Sequence, residues 1–467
     1  MSIKKFKNIT KVSKSIIKKK LNYNRVALAN LNIIRSHDEY FDISNVYKKG
    51  LIGLIKGLPK YIINHFNFSR NDEIKKTDII LISSLISKSH LNKKDFYLSH
   101  IIDEISKNKL NYNIILRNYS GSEVKKKNLK NKIILSNSRN LFRDALNFVV
   151  LFFEILLIKL NTRPKNQEEK DFINGLFSLK NFISSMHNLN EIYQIKKIIK
   201  ISKPKKIFFT YEGYSWERLL CYSAKEIDQN ITLYGFYFSI IAKHQFFPFL
   251  KLGNNYDPDY ILTSGKIAKN KFLLNNFSSK KTIIIGSNRH YHSKINYKKD
   301  KNYNCLILPD GFIKETIFLI DFAITCLKKN ENIRFILRLH PSLNNKKTYI
   351  KKYIQNKNII LSNSKFNADI KTSKFAIYRS SGAIIQAAAQ DIVPLYIKKK
   401  NELTVDPLYQ LKNEKPEISN EDDFIKFYFN LKNNNSYFDI SKRAKIAKYS
   451  KNYYMISNRL NIKKIIS

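Results

Sequence analysis

The sequence predicts an α/β fold: two Rossmann-like domains facing a cleft, preceded by a basic helical appendage. Three observations predict it. Short apolar runs alternate with amphipathic stretches, as strands buried on both faces alternate with crossover helices. The alternation runs through two consecutive halves of similar size. The chain has only 12 glycines in 467 residues, roughly a third of the usual ~7% share. Six of them, Gly213, Gly235, Gly265, Gly286, Gly311 and Gly382, fall where predicted strands end. Ligands of open α/β sheets bind at those carboxyl ends, so the glycines point to one cleft lined from both halves.

Residues 1–75 form the appendage. Ile3, Phe6, Ile9, Val12 and Ile16 recur at helical spacing among lysines. LIGLIKGLPKYIINHF, from Leu51 to Phe66, repeats that character. Such helices either lie on an anionic leaflet or pack as an ordinary pair. The first domain spans residues 76–262. TDIILISSL and NYNIILRNY are strands around the helix DFYLSHIIDEISKN. Lys130–Asn190 is mostly helical, and KPKKIFFTYEG, SWERLLCYSAKEI and NITLYGFYF resume the rhythm. DPDYILTSG closes the domain. The second spans 263–440. KKTIIIGSNRH is its bridging strand, followed by NYNCLILPDG, the helix KETIFLIDFAITCLKKN, IRFILRLHPS, NIILSNS, KFAIYRSSG, the helix GAIIQAAAQ and VPLYI. Residues 441–467 are a helical tail expected to return and brace the first domain.

Composition excludes several classes. Hydrophobic residues reach 43% and aromatics 13%, too many for a disordered chain. The N-terminus lacks the continuous apolar core of a secretory signal. The most apolar window, Leu146–Leu160, falls short of the ~20 residues of a spanning helix and contains Glu154 and Lys159. It is expected to be a buried helix, with an interfacial helix as the alternative. Cys221, Cys305 and Cys326 form no CxxC pair and read as inert thiols of a reducing compartment. The net charge of +47 has two readings. One is a compositional bias, since Lys, Asn and Ile dominate throughout. The other is a polyanionic partner or acidic membrane surface; no sequence-specific nucleic-acid motif appears.

The sharpest chemical constellation lies in the second half. Pro341 stops a strand after His340, and period two sets Arg338 and His340 on one face. Ser380 and Ser381 stand at a later strand-to-helix junction with Gly382 next. Their hydroxyls and the helix-start N–H groups make a phosphate-type anion site, to which an imidazole on the neighbouring strand end adds a proton or charge. Alternatively, His340 is structural and the serines only cap a helix. Arg289 follows a strand near the interdomain crevice, where it either neutralises a departing phosphate or makes a hinge ion pair. Asp310, beside Gly311, touches a nucleotide or caps the next helix. Asp406 reads as a turn residue. His290 and His292 have no third ligand for zinc. P-loop, GxGxxG, HExxH, Ser-His-Asp and DxD patterns are absent, so neither metal nor cofactor is expected.

RLHPSL followed by YRSSGAIIQAAAQDIVPLYI resembles the C-terminal domain of GT-B-fold glycosyltransferases that build bacterial capsule and lipopolysaccharide. Sialyl-, polysialyl- and Kdo-transferases and polyol-phosphate transferases share these His-Pro and Ser/Thr-Ser signatures. YEGYSWERLL, DPDYILTSGKIAKNKFL and IIIGSNRHY resemble more closely a family of surface carbohydrate biosynthesis proteins. The resemblance covers about residues 77–410. It implies that His340 and the Ser380–Ser381–Gly382 turn hold the phosphate of a nucleotide-sugar substrate. Gln386 falls where such donors often meet a ribose-binding Glu. Phe238 stands where related sequences carry a His. The first domain is then the acceptor side, and Glu212 is the candidate general base for an inverting transfer; the alternative makes it the cap of SWERLL. Glu217 reads as a surface or structural pair and Trp216 as core. The implied partners are the donor and a glycan or lipid-linked glycan acceptor. The implied place is the cytoplasm, near the inner face of the plasma membrane. The rivals are a CDP-polyol phosphotransferase, a nucleotide-sugar 2-epimerase, and a non-catalytic basic membrane- or nucleic-acid-binding protein.

Overall fold

The computed structural model describes residues 7–12, 14–15, 74–85, 91, 94–119, 131–135, 141–177, 179–253, 255–291, 302–354, 356–400, 402–434 and 437–467. The expectations for Leu51–Phe66 and for His292 lie outside them.

The first domain begins with β1 (Ile79–Leu85), α1 (Ser99–Lys107), β2 (Tyr112–Asn118) and β3 (Lys132–Ile134). Three helices follow: α2 (Leu141–Asn161), α3 (Gln167–Gly175) and α4 (Leu179–Ser202). Then come β4 (Lys206–Thr210), α5 (Ser215–Ile227), β5 (Thr232–Tyr237), β6 (Tyr260–Thr263), α6 (Lys266–Leu273) and β7 (Thr282–Ile284). All seven strands are parallel, in the order β3-β2-β1-β4-β5-β6-β7. Successive residues of each strand serve opposite faces. Ile79 and Leu81 face a cluster holding Ile101 and Ile105 of α1. Ile80 and Ile82 share a cluster with Ile195 and Ile199 of α4 and Leu220 of α5.

The second domain comprises β8 (Asn304–Leu308), α7 (Ile313–Lys329), β9 (Phe335–Leu337), α8 (Lys347–Tyr353), β10 (Ile359–Leu361), α9 (Phe366–Lys371) and β11 (Ser373–Tyr378). It continues with α10 (Ala383–Ala388), β12 (Val393–Ile397), β13 (Glu417–Ile418) and α11 (Glu421–Asn433). Its parallel order is β10-β9-β8-β11-β12-β13. Counted within each domain, the second sheet runs 3-2-1-4-5-6, the doubly wound Rossmann order, and the first runs the same with a seventh strand at its edge. The two-domain α/β fold is therefore as expected.

Several expectations change. KKTIIIG supplies β7, the edge of the first sheet, so the first domain runs past residue 262. KII, expected to be helical, supplies β3. Asp406 is no simple turn residue: its buried carboxylate pairs with Lys415 at 2.7 Å and accepts the Tyr378 hydroxyl at 2.8 Å. The apolar window lies in α2, whose Leu151, Ile155 and Ile158 are buried against Phe172, Phe182 and Met186. The opposite face of α2 is exposed, so the fully buried reading fails. Residues 7–12 and 14–15 are helical, and their Ile9 and Val12 are buried in the same helical core. That part of the appendage packs on protein. The three cysteines are free and buried.

The tail returns as expected. α12 (Ile440–Tyr453) joins the domains: Arg443 Nε donates to Asp391 at 2.8 Å, and the Tyr453 hydroxyl accepts from the Ile241 N–H. α13 (Arg459–Ile466) buries Ile462, Ile465 and Ile466 on the first sheet. Gly265 and Gly286 serve this docking, not a ligand. A Cβ on Gly286 would lie 2.2 Å from the Ile456 carbonyl, and its φ is +84°. Gly235 sits inside β5, against Tyr211 and Pro258.

His100, on α1, is a buried group the sequence reading missed. Its ring packs 5.2 Å from Phe236 and neither ring nitrogen has a hydrogen-bond partner. Burial first, with His290 adding and Asp103 opposing, lowers its pKa to about 4. Unfolded, the group titrates near 6.5. The unfolded chain thus binds the extra proton first, and stability is lost as pH falls from about 6.5 toward 4. At ~1.4 kcal/mol per pH unit the loss approaches ~3 kcal/mol. Urea denaturation at pH 7 and pH 4.5 should show this loss, and His100→Leu should flatten the profile. An unchanged slope in that variant would assign the acid sensitivity to other groups.

Candidate functional site

Ligands of doubly wound sheets bind where the strand order reverses, beyond the carboxyl ends. In the second sheet that point lies between β8 and β11. β8 leads into Pro309, Asp310 and Gly311; β11 leads into Arg379, Ser380, Ser381 and Gly382. Asp310 clamps the two loops: one carboxylate oxygen accepts from the Phe312 N–H at 2.9 Å and the other from the Ser380 hydroxyl. The first contact is the helix-start cap expected as one alternative, because Phe312 is the N-cap of α7. Asp310 and Ser380 therefore position the turn. Ser381 differs, because its hydroxyl is buried and has no partner among the described residues. An unpartnered buried hydroxyl costs stability, so an incoming acceptor oxygen would be rewarded there.

His340 is the N-cap of a 3-10 turn, Pro341–Lys346, three residues beyond β9. Its ring lies beside Gly311, where a Cβ would come within 3.3 Å of Nδ1. The Ser342 N–H donates to Nδ1 at 3.2 Å, and the Ser342 hydroxyl lies 2.8 Å away. Nδ1 is thus an acceptor, and the neutral ring carries its proton on Nε2. Desolvation, then the nearby Arg289 charge, holds the ring below its ordinary pKa. At neutral pH His340 is an uncharged donor through Nε2. Arg338, expected on the same face, is occupied elsewhere by Asp369 at 2.8 Å and the Ser364 carbonyl.

In the first sheet the reversal lies between β1 and β4. β4 leads into Tyr211, Glu212 and Gly213. Glu212 is half-buried and is not the cap of α5; that residue is Tyr214. Glu217 accepts the N–H groups of both Glu212 and Tyr214 at 2.8 Å. Glu217 is therefore no surface residue: it is buried, and burial, reinforced by the Glu212 charge, pushes its carboxyl well above the usual range. Gly213 packs on Pro248, leaving no room for a side chain: a Cβ would meet Pro248 at 2.7 Å. Trp216 is core, with the Arg117 guanidinium 3.8 Å over its ring.

Arg289 joins the two edges. Among the described residues it makes no ion pair; its Nη1 donates to the Tyr454 hydroxyl at 3.1 Å. The guanidinium lies over Phe96 at 5.1 Å, and Nη1 is 3.8 Å from where a Gly382 Cβ would stand. Its main-chain carbonyl accepts the Gln386 amide at 3.4 Å. Gln386 thus makes an interdomain contact in this conformation. Ile240 of the first domain covers Gly382, 2.9 Å from the same Cβ position.

The sequence reading missed an aromatic wall on the first-domain side. Tyr97 packs on Phe238 at 4.3 Å and on Phe96 at 5.0 Å. Burial, with the Glu212 charge adding, pushes the Tyr97 phenol up to about 12, so it remains a donor. FYLSH carried a signal for it, two adjacent aromatics just before a helix at a strand's carboxyl edge. Tyr454 lies at the far end of the chain and had none. Among the described residues no cluster of His, Cys, Asp and Glu has a metal-binding arrangement. A cavity of about 250 Å³ lies away from this crevice, between α1 and α13, lined by Glu104, Lys107 and Arg459.

No family model matches the chain, and no curated protein matches it. Among solved structures it is similar to the UDP-GlcNAc 2-epimerase of Neisseria meningitidis bound to UDP-GlcNAc, with 14% identity and TM-score 0.44 over 83% of this chain and 98% of that one. It is similar to S. aureus MnaA with UDP, with 12% identity and TM-score 0.47 over 83% and 94%. Acinetobacter baumannii MurG overlaps with 9% identity and TM-score 0.47 over 83% and 99%. The fold itself rests on the strand orders above: two doubly wound parallel sheets whose switch points meet across one crevice.

Proposed function

We propose that the chain is a glycosyltransferase that moves a sugar from a nucleotide-sugar donor to a glycan or lipid-linked glycan acceptor, in the making of a surface polysaccharide. One observation carries the reading. A carboxylate, Glu212, stands at the switch point of one sheet, and of an anion-suited set Ser381 stands at that of the other and His340 beyond the adjacent strand β9. Arg289 lies between them. The donor phosphate would meet Ser381 Oγ, the Nε2–H of His340 and the unused Arg289 N–H groups. The acceptor hydroxyl would lie by Glu212 and Tyr97. Glu212 takes the hydroxyl proton while the oxygen bonds to the anomeric carbon. The bond from that carbon to the phosphate oxygen breaks, and the nucleotide leaves with the electron pair. Arg289 and His340 stabilise its charge. Ile240, Tyr454 and Arg289 cover Gly382 in this conformation, so donor entry requires the domains to part.

A thermal-shift screen with CMP, CDP, UDP and GDP and their sugars tests the donor site. A ligand at about 100 times its Kd adds ~2.7 kcal/mol of apparent stability. Ser381→Ala and His340→Ala should each weaken that ligand by ~1.5–3 kcal/mol. Ser381→Ala should leave the ligand-free melting temperature unchanged or raised, because it deletes a buried hydroxyl without a partner. Wild-type nucleotide binding by both variants would put the phosphate elsewhere.

A further inference from the structure

α2 presents two apolar faces. One is buried in the helical core. The other exposes Phe142, Leu146, Val149, Phe153, Leu157 and Leu160, each at least 37% accessible. Their spacings of four, three, four, four and three residues draw one stripe along the helix, about 27 Å long at 1.5 Å per residue. The helix also carries Arg143, Asp144, Glu154 and Lys159, and among the described residues no helix is long and apolar enough to cross a membrane.

We propose that this face of α2 docks the protein on an anionic lipid bilayer, with the helix lying in the plane of the headgroup boundary. The charges around the stripe choose that occupant. Lys159 is exposed near the C-terminal end of α2, off the stripe and beside Phe177, and exposed Arg163, Lys165 and Lys170 follow the helix. Exposed Lys7 and Lys11 come from the segment packed beneath it through Ile9 and Val12. Of the nearby acids, Asp144 and Glu169 are buried and held internally, by the Asn190 amide and the Lys165 N–H, while half-buried Glu154 lies to the side of the stripe and half-buried Asp171 accepts from the Gln167 amide. An apolar stripe with a cationic border matches acyl chains beneath anionic headgroups. A second copy would bring its own +47 against this border, a like-charge encounter that costs affinity.

The test uses the full chain and two vesicle types: phosphatidylethanolamine with phosphatidylglycerol, and phosphatidylcholine alone. The wild type should sediment with the first, less as salt rises, and weakly with the second. Leu146→Ser/Phe153→Ser/Leu157→Ser should bind at least about tenfold more weakly, since interfacial affinity scales with buried apolar area. Its melting temperature and its nucleotide-induced shift should match the wild type, which keeps this test separate from that of the crevice. As a second reading, Phe153→Trp should shift its emission to the blue and be quenched by brominated lipid, against the constant background of buried Trp216. Wild-type vesicle binding by the triple variant, or no vesicle binding by the wild type, overturns the proposal. So does a lowered melting temperature in the triple variant, which would mean that the chain's own residues cover the stripe. A wild-type dimer that the triple variant breaks into monomers would assign the face to a second copy and overturn it too.

Discussion

Arg379→Ala should destabilise the protein by ~3–5 kcal/mol, the usual consequence of removing one partner from a buried charge network. Arg379 is 1% exposed and lies immediately before the Ser380–Ser381 turn. Its Nε donates to Glu315 at 2.6 Å, one terminal nitrogen to Glu402 at 2.5 Å, and the other to the Ile397 carbonyl at 2.7 Å. Burial works against the Glu315 carboxylate, but Arg379 and Lys399 outweigh it and hold its pKa below the usual value. Without the guanidinium, two mostly buried acids face each other with Lys399 alone between them. Arg379→Lys keeps the charge but loses the planar fork and should recover only part of the deficit. Denaturant titration at pH 7 measures both variants. A midpoint for Arg379→Ala within error of the wild type would show that the network adds nothing to stability.

Glu212→Gln should reduce turnover by roughly 10²–10⁴-fold, the usual contribution of a general base. The cap alternative makes a separate forecast, and the structure sharpens the contrast. Tyr214 is the N-cap and Glu217 receives the N–H groups of that turn, one of them the main chain of Glu212 itself. Exchanging the Glu212 carboxylate for an amide leaves these bonds in place. The cap of α5 is therefore untouched by the exchange, and donor binding should hardly change. Turnover and melting temperature measured on one preparation decide the matter. Full turnover in Glu212→Gln would remove it from the chemistry.

The fold was largely legible because its strands are buried on both faces. Runs such as IILISSL and KFAIY carry no alternation to be misread, and their spacing betrays the crossovers. Errors fell where that rule weakens. β3 is a three-residue, half-buried edge strand too short to stand out, and β7, expected as a strand, carries nothing that says which sheet's edge it completes. α2 is apolar on two faces, and a sequence cannot say which of them meets protein. In the site, local signals marked positions at the carboxyl ends of strands: the Ser-Ser-Gly turn after β11 and the Glu-Gly after β4 lie at switch points, and His-Pro follows the neighbouring β9. Pairings distant in sequence did not show. Nothing in SNRHY announces Tyr454, and nothing in RSSG announces that Asp310 takes one hydroxyl and leaves the other without a partner.

The return of the chain end to the first sheet has a bearing on how the protein is made. The Met455 N–H donates to the Ser264 carbonyl, the Ser287 N–H to the Met455 carbonyl, and the Asn458 N–H to the Ile285 carbonyl. With α13 behind them, residues 455–466 complete the face of a domain synthesised well before them. The second sheet, from β8 to α11, is a single uninterrupted stretch that can close as soon as it clears the ribosome. The earlier domain must wait, with the side of its sheet around β6 and β7 uncovered, until α13 arrives. Order of synthesis and order of completion are thus reversed. A chain cut before α13 would carry a finished second domain and a first domain with an open apolar flank.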